Sequence, residues 1–229
     1  RQAGRINICG IRLTNICEAI IHENPDIVAL QEVFHVDSLE NITNHLNKLS
    51  PRDSWKFKMT ERTGNNYECA GFLWKSQKIT LTSIQLLNTF PEHRPELKRY
   101  PVLGKFSLTE QPGLSCELMN VHLGEGNNAP NEVRQLIGGF LRFFTEGSIK
   151  FLLGDFNCSS QGAFFNDLRR VWKPAISQGT SFCKPNVEYD NIWMENHVPV
   201  ISSSVFRPDP SVQWKQFSNH IPVMVAVAI

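Results

Sequence analysis

Apolar residues in this chain come in strand-length runs, and several of those runs end or begin on an acid, an amide or a histidine. A short run that is apolar throughout, or that alternates apolar with polar residues, reads as a strand when turn signals bound it. Arg5–Cys9, Ile27–Gln31, Trp55–Met59, Val102–Leu108, Leu114–Leu123, Ile149–Phe156, Asn191–Met194 and Pro222–Ile229 fit that description. Ala70–Lys75 and Ile79–Leu87 read as a further pair of strands. Helical spacing is confined to Leu13–His22, Ser38–Leu49, Asn131–Phe144 and Ala163–Trp172. Many short strands with few helices predict two packed, mainly antiparallel sheets flanked by helices, an α+β class four-layer α/β sandwich. No linker divides the chain, so one domain over 1–229 is expected, and a monomer with it. Pro91–Pro95 and Phe206–Pro210 read as irregular loops.

Charge limits the choice of partner. Lys plus Arg number 23 against 22 Asp plus Glu, a formal net charge of +1. That excludes a protein held on nucleic acid by bulk charge alone, but leaves room for an enzyme that meets phosphate at one local site. No run is long and apolar enough for a transmembrane helix, and Arg1–Gly10 has no secretory-signal pattern. None of the six cysteines forms a Cys-x-x-Cys pair, so zinc is not expected. Cys9, Cys69 and Cys116 lie in or beside expected strands and read as buried thiols, which favours an intracellular setting over a secreted one.

The clearest chemical motif is Phe151-Leu-Leu-Gly-Asp-Phe-Asn157, a buried strand running into Gly154, Asp155 and Asn157. Alone it fits a strand-to-loop turn equally well. Ile27-Val-Ala-Leu-Gln-Glu32 is a second apolar strand with an acid at its end. By itself Glu32 is better read as solvated or paired with arginine, although a partly buried carboxylate also suits a metal. Asn120-Val-His122 and Ser218-Asn219-His220 place histidines beside strand ends, and Asp190 opens a strand. A lone histidine is more often structural. Two of them, with the carboxylates Glu68 and Asp190 as candidate partners, make a rarer set.

In order, these residues resemble the endonuclease/exonuclease/phosphatase superfamily, and deoxyribonuclease I in particular, from Asn7 to the last strand. The resemblance implies a metal-dependent phosphodiesterase. It implies Glu32 as the main metal ligand, with Asn7 on the first strand and Asn219 completing the metal set. His122 is implied as the first catalytic histidine, oriented by Glu68, and His220 as the second, oriented by Asp190. Asp155 and Asn157 match the Gly-Asp-x-Asn pair, and Arg99 resembles a residue that touches phosphate, a task shared with Asn157 and His122. Mg²⁺ is the implied ion, with Mn²⁺ or Ca²⁺ as alternatives. The resemblance also raises a disulfide between Cys158 and Cys183, at low odds. One position departs from the family: Asn219 stands where Asp is usual, keeping an oxygen ligand but losing a negative charge.

The chemistry fits. Phosphodiester hydrolysis needs charge neutralised on phosphate, water activated and the leaving alkoxide stabilised. Mg²⁺ favours one or two carboxylates with waters. His220, held by Asp190, is the expected base, and His122 with Arg99 and Asn157 would bind phosphate oxygens. DNA is the expected substrate. A lipid or inositol phosphate is the alternative, and a non-catalytic binding module, argued only from Asn219, is the third reading.

Overall fold

The computed structural model describes residues 2–64, 67–88, 97–182, 184, 186–206 and 218–228, with side chains from residue 13 onward. The expected loop Pro91–Pro95 lies outside the described residues, as does the loop Phe206–Pro210 beyond Phe206. Strands β1 (Ile27–Val33), β2 (Trp55–Arg62) and β3 (Cys69–Lys75) form one antiparallel sheet in the order β1-β3-β2. A second sheet of six runs β4-β5-β6-β7-β9-β8. Its strands are β4 (Ile79–Leu86), β5 (Val102–Leu108), β6 (Ser115–His122), β7 (Ile149–Asp155), β8 (Trp172–Pro174) and β9 (Asp190–Glu195). Only β6 and β7 are parallel within it. The ribbon β10 (Val200–Val205) and β11 (Val223–Val227) is antiparallel.

Alternation along the strands assigns each face. Leu103, Met119, Val121, Leu152 and Trp193 turn one way, onto helix α3 (Ala129–Gln135) and the short α4 (Asn166–Arg169) with their flanking turns, including Val133, Leu136, Phe140, Phe165 and Leu168. Val102, Phe106, Leu118, Phe151, Leu153 and Met194 turn the other way, onto Ala70, Phe72 and Trp74 of β3. The outer face of the small sheet is covered by α1 (Gln2–Glu23) and α2 (Val36–Leu49) through Cys17, Ile20, Leu39, Ile42, Leu46, Trp55 and Leu73. The layers are therefore helix, sheet, sheet, helix, as expected. The alternating strands carry enough large apolar side chains to fill all three interlayer spaces.

Four expectations are corrected. Arg5–Cys9, read as a strand, lies in α1, so Asn7 is on a helix, and its side chain is outside the described residues. A five-residue stretch of alternating polar and apolar residues does not separate helix from strand, and here it continues the helix that places Ile16, Cys17 and Ile20 on the core. Ile79–Leu87 does not pair with Ala70–Lys75: β3 belongs to the small sheet and β4 opens the large one. The helix expected over Asn131–Phe144 loosens into a π turn at Leu136–Phe140 and a 3-10 turn at Leu141–Phe143, around the weak helix formers Gly138 and Gly139. Ala163–Trp172 similarly shortens to a 3-10 turn and α4, and its end becomes β8.

Candidate active site

Three neighbouring strands of the large sheet bring their polar ends together. Register places His122 of β6 beside Asp155 of β7, and Asp155 beside Asp190 of β9. His122 and Asp155 share a strand face with Leu118 and Leu153, so both side chains turn toward the small sheet at the end of the sandwich. The close approach at β7 demands a residue without a side chain. Gly154 has φ of +132°, and a Cβ there would lie 2.0 Å from the Val121 carbonyl oxygen.

The small sheet supplies the facing groups. A bulge between Leu30 and Val33 puts Glu32 at φ +54° and leaves its side chain 65% exposed, 4.0 Å from His122 Nε2. Glu68, at the start of β3, is buried, and its two oxygens bridge two partners. Oε1 lies 2.5 Å from His122 Nδ1, and Oε2 accepts from Arg99 Nε at 2.5 Å. Burial alone would raise the Glu68 pKa, but the hydrogen bonds and charges of His122 and Arg99 outweigh it and hold the carboxyl below its ordinary value.

His220 completes the set from the other side. Its Nδ1 is 2.9 Å from Asp190 Oδ2, and its Nε2 is 3.7 Å from Asp155 Oδ2; His122 Nε2 approaches the same Asp155 oxygen at 3.6 Å. The Asp190 hydrogen bond is the main cause that pushes the His220 pKa up to about 9; burial opposes it, and the charges of Asp190, Asp155 and Glu32 add to it. Asp155 is pushed up to about 6 by burial and then by the neighbouring Asp190, against the pull of His220, His122 and the Asn157 N–H.

The structure thus gathers Glu32, Glu68, His122, Asp155, Asp190 and His220 with the pairings expected of them. Asn157, at φ +50°, donates its backbone N–H to Asp155 Oδ1 at 2.8 Å and its amide to Leu123 O at 2.8 Å, which joins the ends of β6 and β7. Arg99 is directed at Glu68, behind His122. Asn219 is exposed, and its backbone carbonyl accepts from Phe182 N at 3.0 Å. Cys158, for which a bridge to Cys183 stood at low odds, is a free thiol against the Phe156 carbonyl, and Cys183 lies outside the described residues. Cys69 and Cys116 are buried thiols, as expected.

Several supporting residues gave no signal in the sequence. Thr180 Oγ1 donates to Asp190 Oδ2 at 2.8 Å and accepts from the N–H groups of Tyr189 and Asp190. Asn120 accepts from Gln31 Nε2 and donates to Leu30 O, tying the two sheets together beneath the site. Glu132 of α3 receives Gly124 N–H at 2.7 Å and Lys98 N–H at 3.3 Å, clamping the segments next to His122 and Arg99. Their roles arise from contacts between elements, which spacing along the chain does not record.

An ion has a place here. One ligand atom each from Asp155, Asp190 and His220 lies within 4.8 Å of the others. Two carboxylates driven together, one with a raised pKa, make a donor set that a cation would relieve.

The sequence matches the model of the Endonuclease/Exonuclease/phosphatase family over residues 6–220. This chain belongs to that family. Its members are hydrolases of phosphoester bonds that generally use divalent metals. Comparison with curated protein sequences gives no match. Among solved structures, a functionally unknown conserved protein from Enterococcus faecalis V583 superposes with TM-score 0.74 at 19% identity, covering 95% of this chain and 90% of that one. Mannosyl-6-phosphatase from Bacteroides thetaiotaomicron VPI-5482 gives 0.72 at 15% identity, with 96% and 92% covered. D. rerio TDP2 complexed with single strand DNA product gives 0.69 at 14% identity, with 96% and 92% covered. At these identities the likeness shows the shared fold.

Proposed function

We propose that the chain is a divalent-metal-dependent phosphodiesterase that hydrolyses DNA, with Mg²⁺ as its ion. The observation that carries the reading is the convergence of two imidazoles, each braced by its own carboxylate, on one oxygen of Asp155. Such bracing fixes the tautomer of each ring and aims Nε2 at a common point. A structural histidine pair has no need of that aim.

Glu32, Asp155 and Asp190 are the carboxylates available to an ion, with Asn219 on the His220 side; Asn7 remains an expected ligand. The ion would supply charge to neutralise the phosphate. The chain's own groups divide the proton work. With its pKa near 9, His220 is imidazolium at neutral pH and can stabilise charge on phosphate oxygen or protonate a leaving alkoxide through Nε2. Asp155, with a pKa near 6, can accept a proton from water close to neutral pH. In this reading Asp155, rather than the expected His220, is the proton acceptor. His122, fixed by Glu68, faces the same phosphate position, and Arg99 keeps Glu68 ionised.

A sugar or lipid phosphate is the second reading, favoured by the fold shared with the mannosyl-6-phosphatase. The test offers plasmid DNA, a single-stranded oligonucleotide, mannose 6-phosphate, sphingomyelin and a phosphoinositide to the protein in Mg²⁺ and in EDTA. Metal-dependent cleavage of a DNA is expected. Turnover of a sugar or lipid phosphate with both DNAs intact would replace the reading.

A further inference from the structure

We infer that Tyr67 is a stacking platform for a nucleobase next to the phosphate held at His122 and Asp155. This rests on the DNA reading and narrows it to substrates whose bases are unpaired, in single strands or at frayed ends.

Tyr67 immediately precedes Glu68, the carboxylate that holds His122. Its backbone is left-handed, at φ +60°. That region is cheap for glycine and tolerable for asparagine, and a bulky aromatic residue there is an outlier. Of the other left-handed non-glycine residues, Glu32 and Asn157 belong to the site itself, while Asn24 and Ser54 lie away from it. Strain of this kind persists where the surroundings impose it and gathers at functional sites.

The ring does not recover that cost through burial, because Tyr67 is 63% exposed. The Arg62 guanidinium stands over the ring, with its Cζ 3.9 Å from the centroid. A cation over one ring face helps fix its direction and leaves the exposed remainder to a ligand. The strand register places the neighbours. Val33 and Arg62 both pair with Cys69, so Phe34 and Glu68 follow one residue on, at the same end of the small sheet as Arg62. Phe34 is itself 53% exposed. An aromatic face backed by a guanidinium, one residue from the carboxylate that braces His122, fits a ligand that joins a flat ring to a phosphate. A nucleotide has both, and base–aromatic stacking tolerates any base. Neither a sugar phosphate nor a phospholipid offers an aromatic ring to stack.

The experiment compares two single-stranded oligodeoxynucleotides of equal length, one of thymidylate and one fully abasic, both with phosphorothioate backbones that resist cleavage. Binding is followed in Mg²⁺ by fluorescence anisotropy. The wild type should bind the base-bearing strand about tenfold more tightly than the abasic one. Tyr67→Ala and Tyr67→Gly should abolish that preference and leave abasic affinity unchanged, while Tyr67→Trp retains it. Tyr67→Gly, which removes the left-handed strain, should also melt no lower than the wild type. Equal wild-type affinity for the two strands, an equal loss for both in Tyr67→Ala, or a lower melting temperature in Tyr67→Gly overturns the inference. The first of these outcomes leaves the DNA reading standing. Absence of binding to either strand, in protein that turns over mannose 6-phosphate, removes the DNA reading and this inference together.

Discussion

Glu68 has two oxygens and two partners, and this division of labour sets what its loss should do. Oε1 braces His122 and Oε2 takes the Arg99 guanidinium, so the carboxylate acts on catalysis only through the imidazole. Glu68→Gln offers His122 an amide of the same shape but no charge. We expect kcat to fall on the order of 10²-fold, the scale of a lost acid–base or charge-stabilising group. Because Glu68 and His122 act as one unit, the Glu68→Gln/His122→Ala double variant should be little worse than His122→Ala alone. Steady-state kinetics on the cleaved substrate decides this, and multiplicative losses would separate the two residues. At this scale the acids and histidines were legible because each stands beside an apolar run that fixes its place. Thr180, Asn120 and Glu132 were not: polar residues in loops and strands look alike until the fold supplies the partner.

The strands were the legible elements, since alternating or continuous apolar runs such as Phe151–Leu153 and Val102–Phe106 leave little choice of face. The helices were less so. Pairs such as Gly138-Gly139 let α3 unwind without breaking the amphipathic pattern, and Arg5–Cys9 was taken into α1 by the helix that follows it. Sheet membership of β3 and β4 was equally hidden, because a short turn serves a hairpin or a crossing between sheets alike. One glycine carries an element-level consequence. Gly154 lets the β7 backbone lie against Val121 so that Asp155 stands level with His122. Gly154→Ala would force a Cβ onto a backbone oxygen at a φ that L-residues avoid. Neither relaxes without parting β6 from β7, so a loss of about 3 kcal/mol or more is expected. Equilibrium denaturation in urea measures it, and a loss below about 1 kcal/mol would show that the strands can separate there at little cost.

Taken whole, the molecule carries a near-neutral net charge of +1 and yet concentrates Glu32, Asp155 and Asp190 at one end of its sandwich. That concentration makes stability depend on pH in a predictable direction. His220 ordinarily titrates at 6.5 and is raised to about 9 in the fold, so its contribution is complete below pH 6.5 and is lost as pH rises through about 9. Asp155 ordinarily titrates at 3.8 and is raised to about 6, so folding favours its protonated form. That contribution is present below pH 3.8 and is lost as pH rises through about 6. Both groups therefore weaken the metal-free protein toward alkaline pH. A divalent ion bound to the carboxylates acts in the opposite sense, because deprotonated ligands bind it better and binding stabilises the folded state. In EDTA the melting temperature should decline between about pH 6 and pH 9, and more steeply in the wild type than in His220→Gln. Saturating Mg²⁺ should raise it, and the rise should be larger at pH 8 than at pH 5. Thermal melts at the two pH values, with and without Mg²⁺, make the comparison. A Mg²⁺ effect that is the same at both would mean the ion is held away from Asp155 and His220, and the metal would have to be placed on Glu32 with its expected amide ligands.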